Sequence, residues 1–273
     1  MPMEDTKLKL EVRYFYDKLA SESTGQTCCA SCTSEVRAID LLSIGYTPRE
    51  IWAVPAEARL SLGCCNVPAL ADLKPGERVL DVGCGAGLDV FLSARKVGKE
   101  GLVIGVDVSP SLLGRAKVAK LKSAQNNVEF FLSDAEKMPY RDEVFDVVIS
   151  NCVVNLIPRK LEVFREISRV VKKGGRLCIS DVIAVGELDE EIRKNTKLWA
   201  ACVAGAVDES KYLEFIESVG FTDIKVLSRK VFKYGPADVR RFVEYFKGDV
   251  EGLKTALSLD GKIGSLTLLA YKR

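Results

Sequence analysis

The stretch Val79-Leu80-Asp81-Val82-Gly83-Cys84-Gly85-Ala86-Gly87-Leu88 decides how the rest of the chain is read. An apolar, β-favouring run from Val79 to Val82 stops at a loop with glycine at every second position, and a helical pattern follows. Alternate glycines remove the Cβ atoms that would hold a ligand off the backbone, and they allow the positive φ values of a tight turn. The amides of the next helix N-terminus then face whatever lies over the loop. The spacing is G-x-G-x-G rather than the dinucleotide G-x-G-x-x-G, and no Lys-Ser or Lys-Thr pair follows as in a phosphate-binding loop. Asp81 would repel a pyrophosphate but suits the ammonium of a cofactor that carries an amino acid. The pattern describes a nucleotide or adenosyl site, with Asp81, Gly83, Gly85 and Gly87 as its contacts.

Working outward, Val103-Ile104-Gly105-Val106-Asp107-Val108 is a second buried strand with a carboxylate near its end, twenty residues after Gly87. A doubly wound sheet places there the acid that hydrogen-bonds ribose hydroxyls. Val128 to Leu132 is a third strand, followed by Ser133-Asp134-Ala135, and Phe145 to Asn151 is a fourth. With these in order, the glycine loop resembles motif I of the class I S-adenosylmethionine-dependent methyltransferases. That resemblance implies S-adenosylmethionine as cofactor. It puts Asp134 and Ala135 at the adenine, and Asn151, at the open carboxyl edge, joins the cofactor-binding set.

From about Ala69 to Val182 strands and helices alternate, the mark of a parallel sheet with helices on both faces. The helices read as 87–97, 110–124 and 158–172, the last closed by Lys172, Lys173 and Gly174. The fifth strand is 176–182, a helical stretch covers 189–205 and another helix 208–219, and the last two strands are 221–227 and 263–271. The expected fold is α/β: a Rossmann-like, seven-stranded class I methyltransferase sheet with an antiparallel final strand, plus a helical N-terminal extension. Residues 1–68 form that cysteine-containing extension over the active site. Residues 69–273 form the cofactor-binding domain, with a helical insertion at 234–258. Within the extension, helices are expected over 6–21 and from Ser34 to about Ser43. Thr47-Pro48-Arg49-Glu50 combines an N-cap, a first-turn proline and a capping-box acid.

The 273 residues carry 47% hydrophobic and 29% charged side chains, ordinary for a globular chain. A net charge of +2 gives no reason to expect nucleic acid as partner, and no apolar run approaches a bilayer span. The N-terminus lacks the apolar core of a signal peptide, so a cytoplasmic protein without membrane partners is expected. Two counts bear on chemistry: nine cysteines and no histidine. An odd number of cysteines in such a chain argues for reduced, reactive or metal-binding thiols rather than a disulfide scaffold. The missing histidine removes the commonest general base near neutral pH.

Cys84 and Cys178 sit among apolar neighbours and read as packing residues. Cys152 falls just past the fourth strand, Cys64 and Cys65 precede the core in a Gly-Asn-Pro loop, and Cys202 follows the fifth strand. Loops from three parts of the chain thus bring thiols toward the open edge of the sheet. Here the chain resembles a particular family, the arsenite S-adenosylmethionine methyltransferases, especially their short microbial members. Ser150-Asn151-Cys152-Val153-Val154-Asn155-Leu156 is similar to that family's Ser-Asn-Cys-Val-Ile-Asn-Leu signature, and Leu62-Gly63-Cys64-Cys65-Asn66 to its Leu-Gly-Cys-Gly-Asn. Trp199 to Ala206 resembles its segment around a third cysteine. The resemblance implies that Cys64, Cys152 and Cys202 are both the catalytic residues and the arsenic(III) ligands. It implies that the Cys28, Cys29 and Cys32 cluster supplies a reducing or relay thiol, and Cys65 joins these as a redox candidate. Its partners would be arsenite or its thiol conjugates and a small thiol or thioredoxin-type reductant. Cys65 stands where the family has glycine, which leaves two candidates for one ligand. Phe15-Tyr16-Asp17 replaces a Tyr-Tyr-Gly motif, and the C-terminal region is shorter than in the algal and animal enzymes.

Elementary chemistry agrees with this reading. Arsenic(III) is soft and thiophilic, and three thiolates leave its lone pair free to attack a sulfonium methyl group. That nucleophile carries no proton, so no histidine is needed. Two alternatives stand beside it. One is a methyltransferase for another soft nucleophile, a thiol or selenium compound. The other is a non-catalytic thiol protein that sequesters arsenic(III), or zinc held between Cys29-x-x-Cys32 and Cys64-Cys65.

Overall fold

The computed structural model describes residues 3–22, 41–245 and 250–273. Each expected strand is present: β1 (Arg78–Val82), β2 (Leu102–Asp107), β3 (Val128–Leu132), β4 (Phe145–Asn151), β5 (Val171–Ala184), β6 (Phe221–Val231) and β7 (Ile263–Lys272). They form one seven-stranded sheet in the order β3-β2-β1-β4-β5-β7-β6. The first five pair in parallel, and β7 runs antiparallel between β5 and β6. The strand order reverses beside β1, so β2 and β4 diverge from its carboxyl end and open a crevice there. Ligands of open α/β sheets bind at such a point.

The helices that pack on the sheet start where their sequences say they should. α1 spans Met3–Glu22, and α2 spans Pro48–Trp52 behind a complete Thr47–Glu50 capping box. α3 is Val67–Leu70, and α4 (Leu88–Val97) begins at Gly87, whose φ of 95° only glycine adopts without strain. α5 (Pro110–Lys122) is capped by Ser109, whose hydroxyl accepts from Leu112 N at 3.1 Å. α6 spans Lys160–Val170. One core face gathers Val79, Phe91, Val103 and Ile149, and the opposite face gathers Leu80, Phe145, Phe164 and Ile179, following the alternation of the strands. At the amino end of the sheet, Arg176 is buried in β5. Its Nη1 and Nη2 donate to the Glu77 carboxylate at 2.7 and 2.8 Å, and its Nε donates to Ala71 O.

Two expectations are corrected. The helix read over 158–172 ends at Val170, and Lys172, Lys173 and Gly174 already belong to β5. The Gly174-Gly175 pair makes this possible: Gly174 has φ of 74°, and a side chain at Gly175 would press on Asp146 O. The single helix read over 189–205 is two short ones, α7 (Glu190–Lys194) and α8 (Thr196–Ala200). Asn195 breaks them apart: its backbone is extended, and its side chain accepts from Lys197 N and Leu198 N, the competition asparagine offers a helix. Beyond α8 come α9 (Glu209–Ser218) and, within the insertion, α10 (Pro236–Tyr245) and α11 (Val250–Ser258). The helix expected from Ser34 falls almost wholly outside the described residues, and 41–45 form a turn. Among the described residues no helix is long and apolar enough to cross a membrane.

Candidate active site

The glycine loop is built by its hydrogen bonds. Gly83 N and Cys84 N both donate to Val106 O, at 2.8 and 3.0 Å, so the loop folds back against the end of β2. Gly85 N donates to the Asp107 carboxylate at 2.8 Å, and Ser109 N donates to its other oxygen at 2.8 Å. Gly83 and Gly85 both have positive φ, and a Cβ at Gly83 would run into the Val153 side chain. Over this loop lies a cavity of about 560 Å³, the size of a small-molecule site. Asp81, Gly83, Gly85, Asp107, Asp134 and Asn151 line it, and Ala135 lies beside Asp134 on the same wall. Gly87 stands back from it, holding the turn into α4 against Phe130.

Asp81 Oδ2 is buried and has no hydrogen-bond partner among the described residues. Burial, with Asp89 and Asp107 nearby, pushes its carboxyl well above the usual carboxylate range. Such a group lacks a counter-charge, and the ammonium of S-adenosylmethionine would supply one. The residues present therefore fit the cofactor: an acid for the ammonium, an open glycine cradle, and Asp107 with lone pairs left beyond the two amides it already accepts. Burial also raises Asp107, with the Ser109 and Gly85 amides opposing.

The N-terminal helix closes the cavity from above. Lys9 donates to Asp134 at 2.7 Å and also reaches Glu136, so the proposed adenine-facing carboxylate is tied to α1. Asp17 accepts from Ser109 Oγ at 2.6 Å and from Ser111 N at 3.1 Å, which fastens the other end of α1 to the start of α5. Tyr16 is buried between them and donates to Ala200 O at 3.2 Å; burial, with Cys202 next to it, pushes its phenol pKa up.

The three thiol loops meet at the carboxyl edge of β4 and β5. Cys64 and Cys152 are joined in a disulfide, Cα to Cα 6.3 Å, and Cys202 Sγ lies 3.5 Å from Cys152 O. All three belong to one cluster with Tyr16, Leu156 and Trp199. The sequence favoured reduced thiols. The structure instead pairs two of them, because the loops bring cysteines 88 residues apart into bonding distance. Cys152 and Cys202 share another property: their φ values are 59° and 62°, a left-handed region that side chains other than glycine and asparagine enter at a cost. Cys65 points elsewhere. It packs against the core on the α4 side of the sheet, Thr267 Oγ1 donates to its sulfur at 3.6 Å, and burial pushes its thiol up. Cys84 and Cys178 are buried, as expected for packing residues, with their thiols pushed up by burial. Cys28, Cys29 and Cys32 lie outside the described residues, so the redox and zinc readings placed on them have no structural description here.

Sequence reasoning passed over several residues that shape the site. Asp89 is buried in the first turn of α4, its Oδ1 accepting from Tyr46 Oη at 2.6 Å and its Oδ2 from Asn151 Nδ2 at 3.0 Å; burial raises it to about 6. Its sequence signal was a charge inside an otherwise apolar helix start. Lys160 is buried at the start of α6, donating to Asn155 O and Ile157 O at 3.2 and 3.1 Å, over the Trp199 ring at 5.3 Å. Burial lowers it to about 8. Nothing in the local sequence singled it out.

A parallel sheet with this order, an antiparallel seventh strand and an acid-flanked glycine loop over the cavity defines the class I methyltransferase fold. Residues 73–220, more than half of the chain, match a family model described as a methyltransferase domain. The chain is 32% identical to the crystal structure of an arsenic(III) S-adenosylmethionine methyltransferase from Chlamydomonas reinhardtii, with a TM-score of 0.66 over 83% of this chain and 75% of that one. It is 36% identical over 82% of its length to an arsenite methyltransferase of Halobacterium salinarum, and 33% identical over 79% to one of Aquipseudomonas alcaligenes. It spans 59% and 62% of those two relatives. The chain belongs to the arsenite S-adenosylmethionine methyltransferase family.

Proposed function

We propose that the protein transfers a methyl group from S-adenosylmethionine to arsenic(III) held by Cys64, Cys152 and Cys202. The observation that carries this reading is the convergence of the three thiols beside the cofactor cavity, Cys152 itself lining the wall. Asp81 would hold the ammonium, Gly83, Gly85 and Gly87 the loop under the cofactor, Asp107 the ribose, and Asp134 with Ala135 the adenine. S-adenosylmethionine, when bound, supplies a methyl group on a positively charged sulfur.

The disulfide must first be opened. A dithiol reductant, small or of thioredoxin type, gives two electrons and two protons to Cys64 and Cys152 and leaves as its own disulfide. Arsenite then exchanges its three hydroxyls for the sulfurs of three thiols, whose protons leave with those hydroxyls as three waters. Bound in this way, arsenic presents its lone pair, and none of its ligand thiols has a proton left to lose. The chain's task is alignment, which accounts for a site with no histidine. Such chemistry suits the reducing cytoplasm. Within N-terminal residues 1–68, α1 acts as the cover over the reaction; of the redox candidates, Cys28, Cys29 and Cys32 are left to serve turnover, since Cys65 faces away from the pair.

The test is incubation of reduced protein with S-adenosylmethionine, arsenite and a dithiol, with arsenic species separated by chromatography. Methylated arsenic is expected. Cys152→Ser and Cys202→Ser, which replace a soft ligand with a hard hydroxyl, should abolish it while cofactor affinity persists. Full activity in either variant would remove the three-thiolate site.

A further inference from the structure

The segment Ser150 to Leu156 holds Cys152 between two asparagines, and each asparagine amide grips a different thiol loop. Asn151 Oδ1 accepts from Cys64 N at 2.8 Å, and its Nδ2 donates to Cys65 O at 2.7 Å and to Asp89 at 3.0 Å. Both ends of that amide are therefore occupied within the protein, and Tyr46 anchors Asp89 behind it. On the other side, Asn155 Nδ2 donates to Cys202 O at 3.0 Å and to Val182 O at 2.6 Å. The backbone of Asn155 is held as well: its N–H donates to Asp181 at 3.0 Å and its carbonyl accepts from Lys160. Cys152 itself donates its N–H to Ser180 O at 2.8 Å, which pins the centre of the segment to β5.

Two glycines leave room for these grips. A Cβ at Gly63 would run into the Asn151 amide, and one at Gly205 would run into Asn155 O and the Trp199 ring. The two clamps reach opposite neighbours of Cys152, one the loop that precedes β1 and the other the turn that follows α8. A pyramidal arsenic centre needs its three sulfurs at once, and no regular element carries Cys64 or Cys202. Both sit in loops hydrogen-bonded to the segment that leaves β4, the first at Asn151 and the second at Asn155.

We propose that Asn151 and Asn155 are positioning residues that set the spacing of the three thiols around Cys152, Asn151 through the Cys64 loop and Asn155 through the Cys202 turn. The proposal rests on the three-thiolate reading above. It also moves Asn151 from a cofactor contact to a clamp. Removing a partner that orients a ligand weakens binding by about 10–100-fold in comparable sites.

The experiment counts sulfurs. Protein reduced with a phosphine is loaded with arsenite, and the arsenic K-edge absorption spectrum gives the number of As–S bonds. Binding affinity is titrated in parallel, and thermal unfolding of each variant confirms a cooperative fold. The parent should show three sulfurs. Asn151→Leu and Asn155→Leu, close in size to asparagine, should show two, with affinity for arsenite lower by about 10–100-fold. Gly63→Ala keeps both asparagines and pushes on the Asn151 amide, so it should lose the same sulfur as Asn151→Leu. It carries the test if the leucine variants fail to fold. Three sulfurs and parental affinity in the folded variants would overturn the clamp. Fewer than three sulfurs in the parent would instead overturn the three-thiolate reading.

Discussion

Asp81 shows how one buried carboxyl can report on the whole cofactor site. Burial and two neighbouring carboxyls raise it in the free protein, and an ammonium brought against it would pull it back down. Binding then expels a proton wherever the free protein holds one. Cofactor affinity should therefore fall as pH drops through the raised titration of Asp81 and level off above it. Calorimetry over a pH series, in buffers of differing ionisation enthalpy, measures both the slope and the released proton. In Asp81→Asn the slope should vanish and affinity should fall by about 1.5–3 kcal/mol, the worth of a hydrogen bond to a charged group. A slope that survives in Asp81→Asn would assign the titration to another group. That Asp81, Gly83, Gly85 and Asp107 line the cavity was legible because a glycine loop and the acid that ends the next strand follow a fixed order along the chain. The different surroundings of Cys64 and Cys65 were not. Adjacent residues look equivalent in sequence, yet Cys64 is bonded to Cys152 and Cys65 lies against Thr267.

Among the elements, α1 covers the cavity through bonds near its two ends, Lys9 with Asp134 and Asp17 with Ser109 and Ser111. Few of its residues are buried, so these polar ties matter more than they would for a core helix. Asp17→Ala should destabilise the closed helix by about 1–2 kcal/mol, on the order of tenfold faster amide exchange confined to α1. Hydrogen exchange read by mass spectrometry would show it; a change spread through the sheet, or none, would refute the tie. The strands were readable because buried parallel strands are short apolar runs bounded by turn residues. Helix ends were less so. Lys172, Lys173 and Gly174 look like a helix terminus, and Asn195 looks like an ordinary polar residue in a helix. Each is decided by what the neighbouring segment offers its backbone. The clamps by Asn151 and Asn155 were invisible for the same reason: their partners lie 87 and 47 residues away.

At the scale of the molecule, Arg176 and Glu77 bind the amino end of β5 to the approach of β1, far along the strand from the thiols. Arg176→Met leaves the Glu77 carboxylate half-buried and unpaired, and should cost about 3 kcal/mol of stability by urea denaturation. Arsenite affinity should be unaffected, since the carboxyl edge does not depend on that pair. Loss of affinity together with stability would show the two ends of the sheet to be coupled. The covalent link between Cys64 and Cys152 has a different reach. It closes a loop across 88 residues, which by chain entropy stabilises the fold by about 4–5 kcal/mol. The reduced protein, ready for substrate, is thus the more fragile of the two forms. Arsenic(III), if held by the same sulfurs as proposed, would restore that closure and add a second one to Cys202, acting as a staple across the fold. Melting temperatures should rank the reduced protein lowest and place its arsenite complex with the oxidised form or above. In that case bound metalloid would lengthen the life of the chain that holds it, and exhausting it would return the chain to its least durable state.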